Sequence, residues 1–456
     1  MPTEDAGPPD RGLPDLPRPD LPRPDLPAAA KGWAVAAGGD KGDWGWDIAV
    51  DGQGYAYVTG HFRGQARFGP YTLTSKDWSP DVFLAKLSPD GTFLWAVRAG
   101  GPADDKGCSL TLLPDGDVVV AGLFSNTASF GPLTETSKGM ADVFVARYST
   151  DGKVKWVSHP SSPGSDWGWR VTSDGAGGVF LAGKYSGQGS FGPITLPATG
   201  GDEAFTAHLD DNGDVTWASG AGWYGEEGAL GVAAAGQDSV IATGHYEWTV
   251  GFGPLSLSSA GGDDVFIVKY GAGGKVLWAQ SAGGNAEDRG WAAAPDGTGG
   301  AFITGHFGGL AHFGQQSLDA KGASDLFVAR YSSAGQLMWA SSGGGAQAER
   351  AYAVLADGAN GALVAGDFAG QASFGSHSLT AAGDRDLVLA RLDENGGWDW
   401  ALSAGGAGHE RPGGMALGPG RALYITGDFT QTTSLGGHSL TAHGEDDVFV
   451  WKMVLP

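Results

Sequence analysis

The stretch DVFVARYSTDGKVKW (142–156) returns throughout the chain. DVFLAKLSPDGTFLW occupies 81–95, DVFIVKYGAGGKVLW 264–278 and DLFVARYSSAGQLMW 325–339. Each copy holds an apolar run, a short turn with Gly, and a second apolar run that reaches a Trp. That is the pattern of two antiparallel strands joined tightly. The Trp keeps time at Trp33, Trp95, Trp156, Trp217, Trp278, Trp339 and Trp400. An acidic residue keeps the same time, from Asp81 and Asp142 to Asp386 and Asp447, with Glu203 as the third. Seven units of about 61 residues predict a repeat architecture.

Each unit contains four strand-like runs. In the first they are WDIAV (46–50), YAYVTGHF (55–62), VFLAKL (82–87) and FLWAV (93–97). Runs such as VVVAGLF (118–124) are apolar on both faces, so each sheet must be covered on both sides. No segment has a helical period. Four-stranded antiparallel sheets repeated radially make an all-β, seven-bladed β-propeller. The seventh unit stops after DVFVWKM (447–453) without a fourth strand, and GWAVAAGG (32–39) is a fourth strand without a third. Pairing the two closes the ring and removes both open edges. The expected domains are a Pro-rich, disordered spacer over 1–31 and the propeller over 32–456.

The unit resembles the SBBP-type β-propeller repeat of bacterial surface and secreted proteins. IAVDGQGYAYVTGHF (48–62) and DVFLAKLSPDGTFLW (81–95) carry the resemblance, which extends over roughly 32–456. It implies a propeller and an extracytoplasmic, secreted or surface-tethered location. It implies no reaction, because propellers host unrelated activities.

The formal net charge of −23 argues against nucleic acid and anionic membranes, which need a basic footprint. The single cysteine, Cys108, forms no internal disulfide and no thiolate metal cage. No apolar run reaches the roughly 18 residues of a membrane-spanning helix. The sequence as given shows no signal peptide at MPTEDAGPP (1–9). DRGLPDLPRPDLPRPDLPAAA (10–30) reads as a solvated tether, and a tether suggests an export signal or lipid anchor upstream of Met1. A monomer is expected.

Function should lie where the copies differ. The fourth-to-first and second-to-third connections, such as AGGPADDK (99–106) and SNTASFGPLTETSKGMA (125–141), are long and share one face. Ten residues after each marker Trp stands a carboxylate: Asp43, Asp105, Asp166, Glu227, Asp288, Glu349 and Glu410. Its presence in every unit favours a structural role, accepting backbone N–H bonds within the loop. The following position varies: Trp44, Lys106, Trp167, Gly228, Arg289, Arg350 and Arg411. In units five to seven the arginine is expected to neutralise the carboxylate beside it.

Units one, three and four also hold the loop tryptophans Trp78, Trp223 and Trp248. Trp44, Trp78, Trp167, Trp223 and Trp248, beside Asp43, Asp105, Asp166 and Glu227, form the candidate ligand site. Rings would stack on sugar faces and acids would accept hydroxyls. A cationic surface partner would use the same parts. The marker tryptophans are expected between blades, and Trp46, Trp169 and Trp291 in the core.

His61, His245 and His306 share one repeat position with Asp367 and Asp428, and are expected to form a polar rim rather than a metal ring. DDNGD (210–214) has alternating oxygen ligands but no completing acid at loop position twelve, so calcium is allowed there without being indicated. No other cofactor is expected. SPDGTFLW (88–95) departs from the sialidase Asp box in spacing, and no nucleophile elbow, P-loop or HExxH occurs.

These residues indicate a non-enzymatic binding or scaffold propeller with a carbohydrate ligand on the long-loop face. A carbohydrate-active hydrolase or lyase using the loop carboxylates is the first alternative. A purely structural surface protein is the second.

Overall fold

The computed structural model describes residues 32–236 and 238–455. The spacer assigned to 1–31 lies outside them. The chain forms a seven-bladed β-propeller. No helix among the described residues is long and apolar enough to cross a membrane.

The first blade shows the plan. Strand β1 (Trp33–Gly39) belongs to the last blade. Then come β2 (Trp44–Val50), β3 (Ala56–Phe62), a hairpin of β4 (Gln65–Phe68) and β5 (Tyr71–Thr74), β6 (Asp81–Leu87) and β7 (Phe93–Gly100). The blade pairs antiparallel in the order β2–β3–β6–β7. Its middle strand β3 is buried along its whole length, as the two-sided apolar pattern requires. The first strand of each blade packs on the first strands of both neighbours, and these seven strands surround the central channel.

Closure occurs where the split unit placed it. β1 pairs with Asp447–Val454 from Trp33↔Lys452 to Ala37↔Val448. One apolar cluster joins the last blade to the first, where Val448, Val450 and Tyr424 meet Val58, Phe83 and Ala85.

The second-to-third connection is not a loop, contrary to the reading of 125–141. It folds as a hairpin of Thr127–Phe130 and Leu133–Thr136, whose first strand pairs with β7 of the preceding blade. The strands are only four residues long and alternate buried with exposed, so an apolar-run reading passes over them. The anchor is one aromatic. Phe130 is buried with its ring 5.0 Å from that of Phe144, and Phe68 sits 4.7 Å from Phe83. Five of the seven hairpins pair in this way with the fourth strand of the preceding blade, the third blade's hairpin is joined only through the bridge Ser161↔Ser190, and that of the fourth blade pairs only with itself.

The copied turn and Trp are one contact made across a blade boundary. The indole N–H of Trp33 donates to the Pro89 carbonyl at 2.9 Å, Trp278 to Ser333 at 3.0 Å and Trp339 to Glu394 at 2.9 Å. Six of the seven marker rings lie on the turn glycine of the following blade, and Trp400 has none to meet because β1 closes the last blade. A Cβ on Gly335, whose φ is +79°, would stand 2.6 Å from the Trp278 ring. The turn needs Gly for its left-handed backbone, and the Trp needs it for clearance.

Candidate functional site

The channel is lined by residues that the innermost strands turn out of their own sheet. Each of these strands carries a β-bulge at one repeat position, between Gly45 and Asp47 in the first blade and between Gly168 and Arg170 in the third. The other five blades repeat it. A bulge re-aims the side chain of its extra residue. Here it aims one residue per blade at the channel: Trp46, Cys108, Trp169, Leu230, Trp291, Tyr352 and Gly413. Together with Arg170, Arg350 and Arg411 they line a cavity of about 160 Å³. Trp46, Trp169 and Trp291 are thus half-buried channel residues, not core residues as expected.

Four tryptophans join across blades one and three. Ring centroids are 5.9 Å apart for Trp44 and Trp46, 6.4 Å for Trp46 and Trp169, and 4.4 Å for Trp167 and Trp169. The last pair is stacked, with 21° between planes. Histidines hold two of the channel rings in place. Trp46 donates its indole N–H to His61 Nδ1 at 2.9 Å, and Trp291 does the same to His306 Nδ1 at 2.8 Å. Burial pushes His61 well below the usual imidazole range and His306 down to about 3, so both rings are neutral acceptors. This gives the expected polar rim a definite task. In blade four Leu230 replaces the Trp, and His245 Nδ1 is left without a partner.

Cations stand over this aromatic surface. Arg411 lies 4.5 Å above the Trp44 ring, and Lys106 lies 5.3 Å from that of Trp167. The arginines do not neutralise the carboxylates next to them in sequence. Arg289 pairs instead with Asp263 at 2.6 Å, and Arg411 with Asp428 at 3.0 Å. Nor are aromatic and arginine sectors separate, since closure makes blade seven the neighbour of blade one.

The remaining candidates separate by depth. Trp78, Trp223 and Trp248 are 73%, 55% and 68% exposed on the loops. Trp248 adopts φ +65°, at a position where other units place Gly64, Gly309 and Gly370. A side chain there costs about 1–2 kcal/mol. Asp43, Asp105, Asp166 and Glu227 are buried, and they lie beneath the loops rather than on them. Asp105 accepts the Gly101 N–H at 2.6 Å and the Ser125 N–H at 3.1 Å, tying the fourth-to-first loop to the end of the second strand. Asp43 does the same with Gly39 and Arg63. As placed, these carboxylates offer no oxygen to a ligand on the surface. Asp210 Oδ1, in the loop whose pattern allows calcium, is likewise occupied by the N–H groups of Asn212 and Asp214.

Burial dominates the acidity of this ring. It lifts Asp105, Asp166, Asp288 and Glu349 to about 7, against the lowering effect of their backbone N–H bonds, while neighbouring carboxylates add to the rise. Asp81 and Asp264 rise to about 6 for the same first reason. A carboxyl raised on folding contributes stability that is complete below its unfolded value and is lost as pH rises through its folded value. His61 and His306, lowered on folding, lose their contribution only as pH falls below the unfolded imidazole value. With Asp43 and Glu227 lifted furthest by burial, to about 8, the thermal midpoint should therefore fall from about pH 6.5 to about pH 8.5. A melting series in that window checks this, and a flat or rising midpoint would mean that the ring stays ionised in the fold.

No protein-family model matches the sequence. An uncharacterized WD repeat-containing protein of Acanthamoeba polyphaga mimivirus is 24% identical over 203 residues, 37% of this chain. The match covers 14% of that protein's length. Among solved structures, an ulvan lyase of polysaccharide lyase family PL25 bound to -[GlcA(1-4)Rha3S]- aligns with a TM-score of 0.42 at 12% identity, over 91% of this chain and 97% of that one. Rhamnogalacturonan lyase PL11 of Bacillus licheniformis aligns with a TM-score of 0.27 at 12% identity, over 90% and 77%. Likeness at this level assigns no chemistry to this chain.

Proposed function

We propose that the protein is a saccharide-binding propeller of the SBBP type, acting outside the cytoplasm, with its ligand in the channel mouth. The observation that carries this is the cross-blade surface of Trp44, Trp46, Trp167 and Trp169, built from positions that differ between otherwise copied blades. A repeat that needed only packing would place the same residue at each bulge. Flat aromatic faces suit the C–H faces of a pyranose, and Arg350 and Arg411 supply donors for its oxygens. Trp78, Trp223 and Trp248 are exposed on the loops and offer further stacking faces. Binding without chemistry is favoured because the loop carboxylates lie buried beneath the surface.

A glycan-array screen of the wild-type protein and Trp169→Ala tests the reading. Binding should weaken by about 1–3 kcal/mol in the variant, the range for an aromatic anchor, without loss of the folded state. Equal binding by both proteins would return Trp169 to a packing role. Release of cleaved sugar would establish the enzyme alternative.

A further inference from the structure

We propose that His409, Asp428 and Asp446 form a site for one divalent transition-metal ion at the rim of the channel. This is independent of the saccharide reading. His409 lies in the loop before the innermost strand of blade seven, Asp428 near the end of Ala422–Phe429, and Asp446 just before Asp447–Val454. One ligand atom from each lies within 4.8 Å of the others. His409 Nε2 is 2.9 Å from Asp446 Oδ1 and 3.5 Å from Asp428 Oδ2.

Two facts point to an ion rather than a simple acidic cluster. Asp428 is only 3% exposed, yet its Oδ2, aimed at this imidazole, has no hydrogen-bond partner. Asp446 Oδ1 is also buried, and the same imidazole Nε2 lies 2.9 Å from it. Imidazole Nε2 carries at most one proton, so it can satisfy at most one of the two oxygens. A cation bound to both oxygens and to a deprotonated Nε2 leaves neither stranded. Asp428 is also oriented from behind, since Arg411 holds its Oδ1 at 3.0 Å.

The donor set selects the ion class. One imidazole nitrogen with two carboxylates suits zinc or manganese, whereas calcium takes oxygen ligands in larger number. Blade four supplies an internal comparison. It carries Glu226, His245 and Asp263 at the same three repeat positions, but they do not gather. Among the described residues, blade seven alone brings three such side chains together.

The test is calorimetric titration of the EDTA-stripped protein with Zn2+ and Mn2+, with Ca2+ for comparison. One equivalent of zinc should bind. His409→Gln and Asp446→Asn should each weaken it at least about 10-fold, the loss typical of a disturbed metal site. Asp263→Asn should leave it unchanged. Melting curves in EDTA establish that the variants fold, and if Asp446→Asn does not, His409→Gln alone decides. No zinc binding at about 1 mM, binding unaffected by the variants, or calcium bound more tightly than zinc would overturn the proposal.

Discussion

A chain that begins at Asp40 should fail to reach the folded state attained by a chain that begins at Gly32. The eight residues between them carry β1, the fourth strand of the last blade. Its removal strips the pairing from Trp33↔Lys452 to Ala37↔Val448 and leaves the edge of Asp447–Val454 bare. It also frees the hairpin strand β4, which pairs with β1 at Gly38↔Arg67 and Gly39↔Ala66. The loss is not local. The apolar cluster between the last and first blades loses Ala37 and the packing of Trp33 and Val35. An unpaired edge next to an opened core is an aggregation template. Melting and light scattering on the two chains check this. A peptide spanning 32–39 should partly restore the shorter chain by strand addition. Equal midpoints would contradict closure by β1.

The second large effect concerns the turn glycines. Gly335 and Gly297 share φ +79°, and nothing lies within 4 Å of a Cβ at Gly297. Val at Gly297 should cost about 1–2 kcal/mol, the price of a left-handed backbone alone. Val at Gly335 meets the Trp278 ring as well, and overpacking adds about 1–3 kcal/mol. Denaturant midpoints of the two variants give the difference. In a Trp278→Ala background that difference should shrink, because the clash is with that ring. Equal losses in both variants would mean that the copied Trp does not bear on the copied turn.

Where sequence was sufficient, the reason was periodicity. Period, strand count in the four-stranded part of each blade, and closure all rest on residues that recur, and recurrence is readable without a structure. The hairpins escaped because strands of four residues alternate too briefly, although the FG of RFGP (67–70), SFGP (129–132) and GFGP (251–254) marks the same buried Phe each time. The channel escaped for a different reason. A bulge adds one residue to one strand and leaves no mark in the apolar pattern, so Trp46 and Trp169 read as core. A signal was present all the same. That position reads Trp, Cys, Trp, Leu, Trp, Tyr, Gly across the units, while the true core positions around it are copied. The carboxylates show the converse. They recur in every unit and lie buried under the loops, where Asp43, Asp105 and Asp288 each accept two backbone N–H groups, while both oxygens of Glu227 and Glu410 are without a partner.

The saccharide-binding role depends on where a sugar sits. A crystal structure of the protein with an oligosaccharide selected from the array measures this directly. A pyranose ring is expected to stack on Trp169 or Trp46 within the channel mouth, with an oxygen reached by Arg350 or Arg411. A sugar bound only at Trp223 and Trp248, with the channel mouth empty, would contradict it.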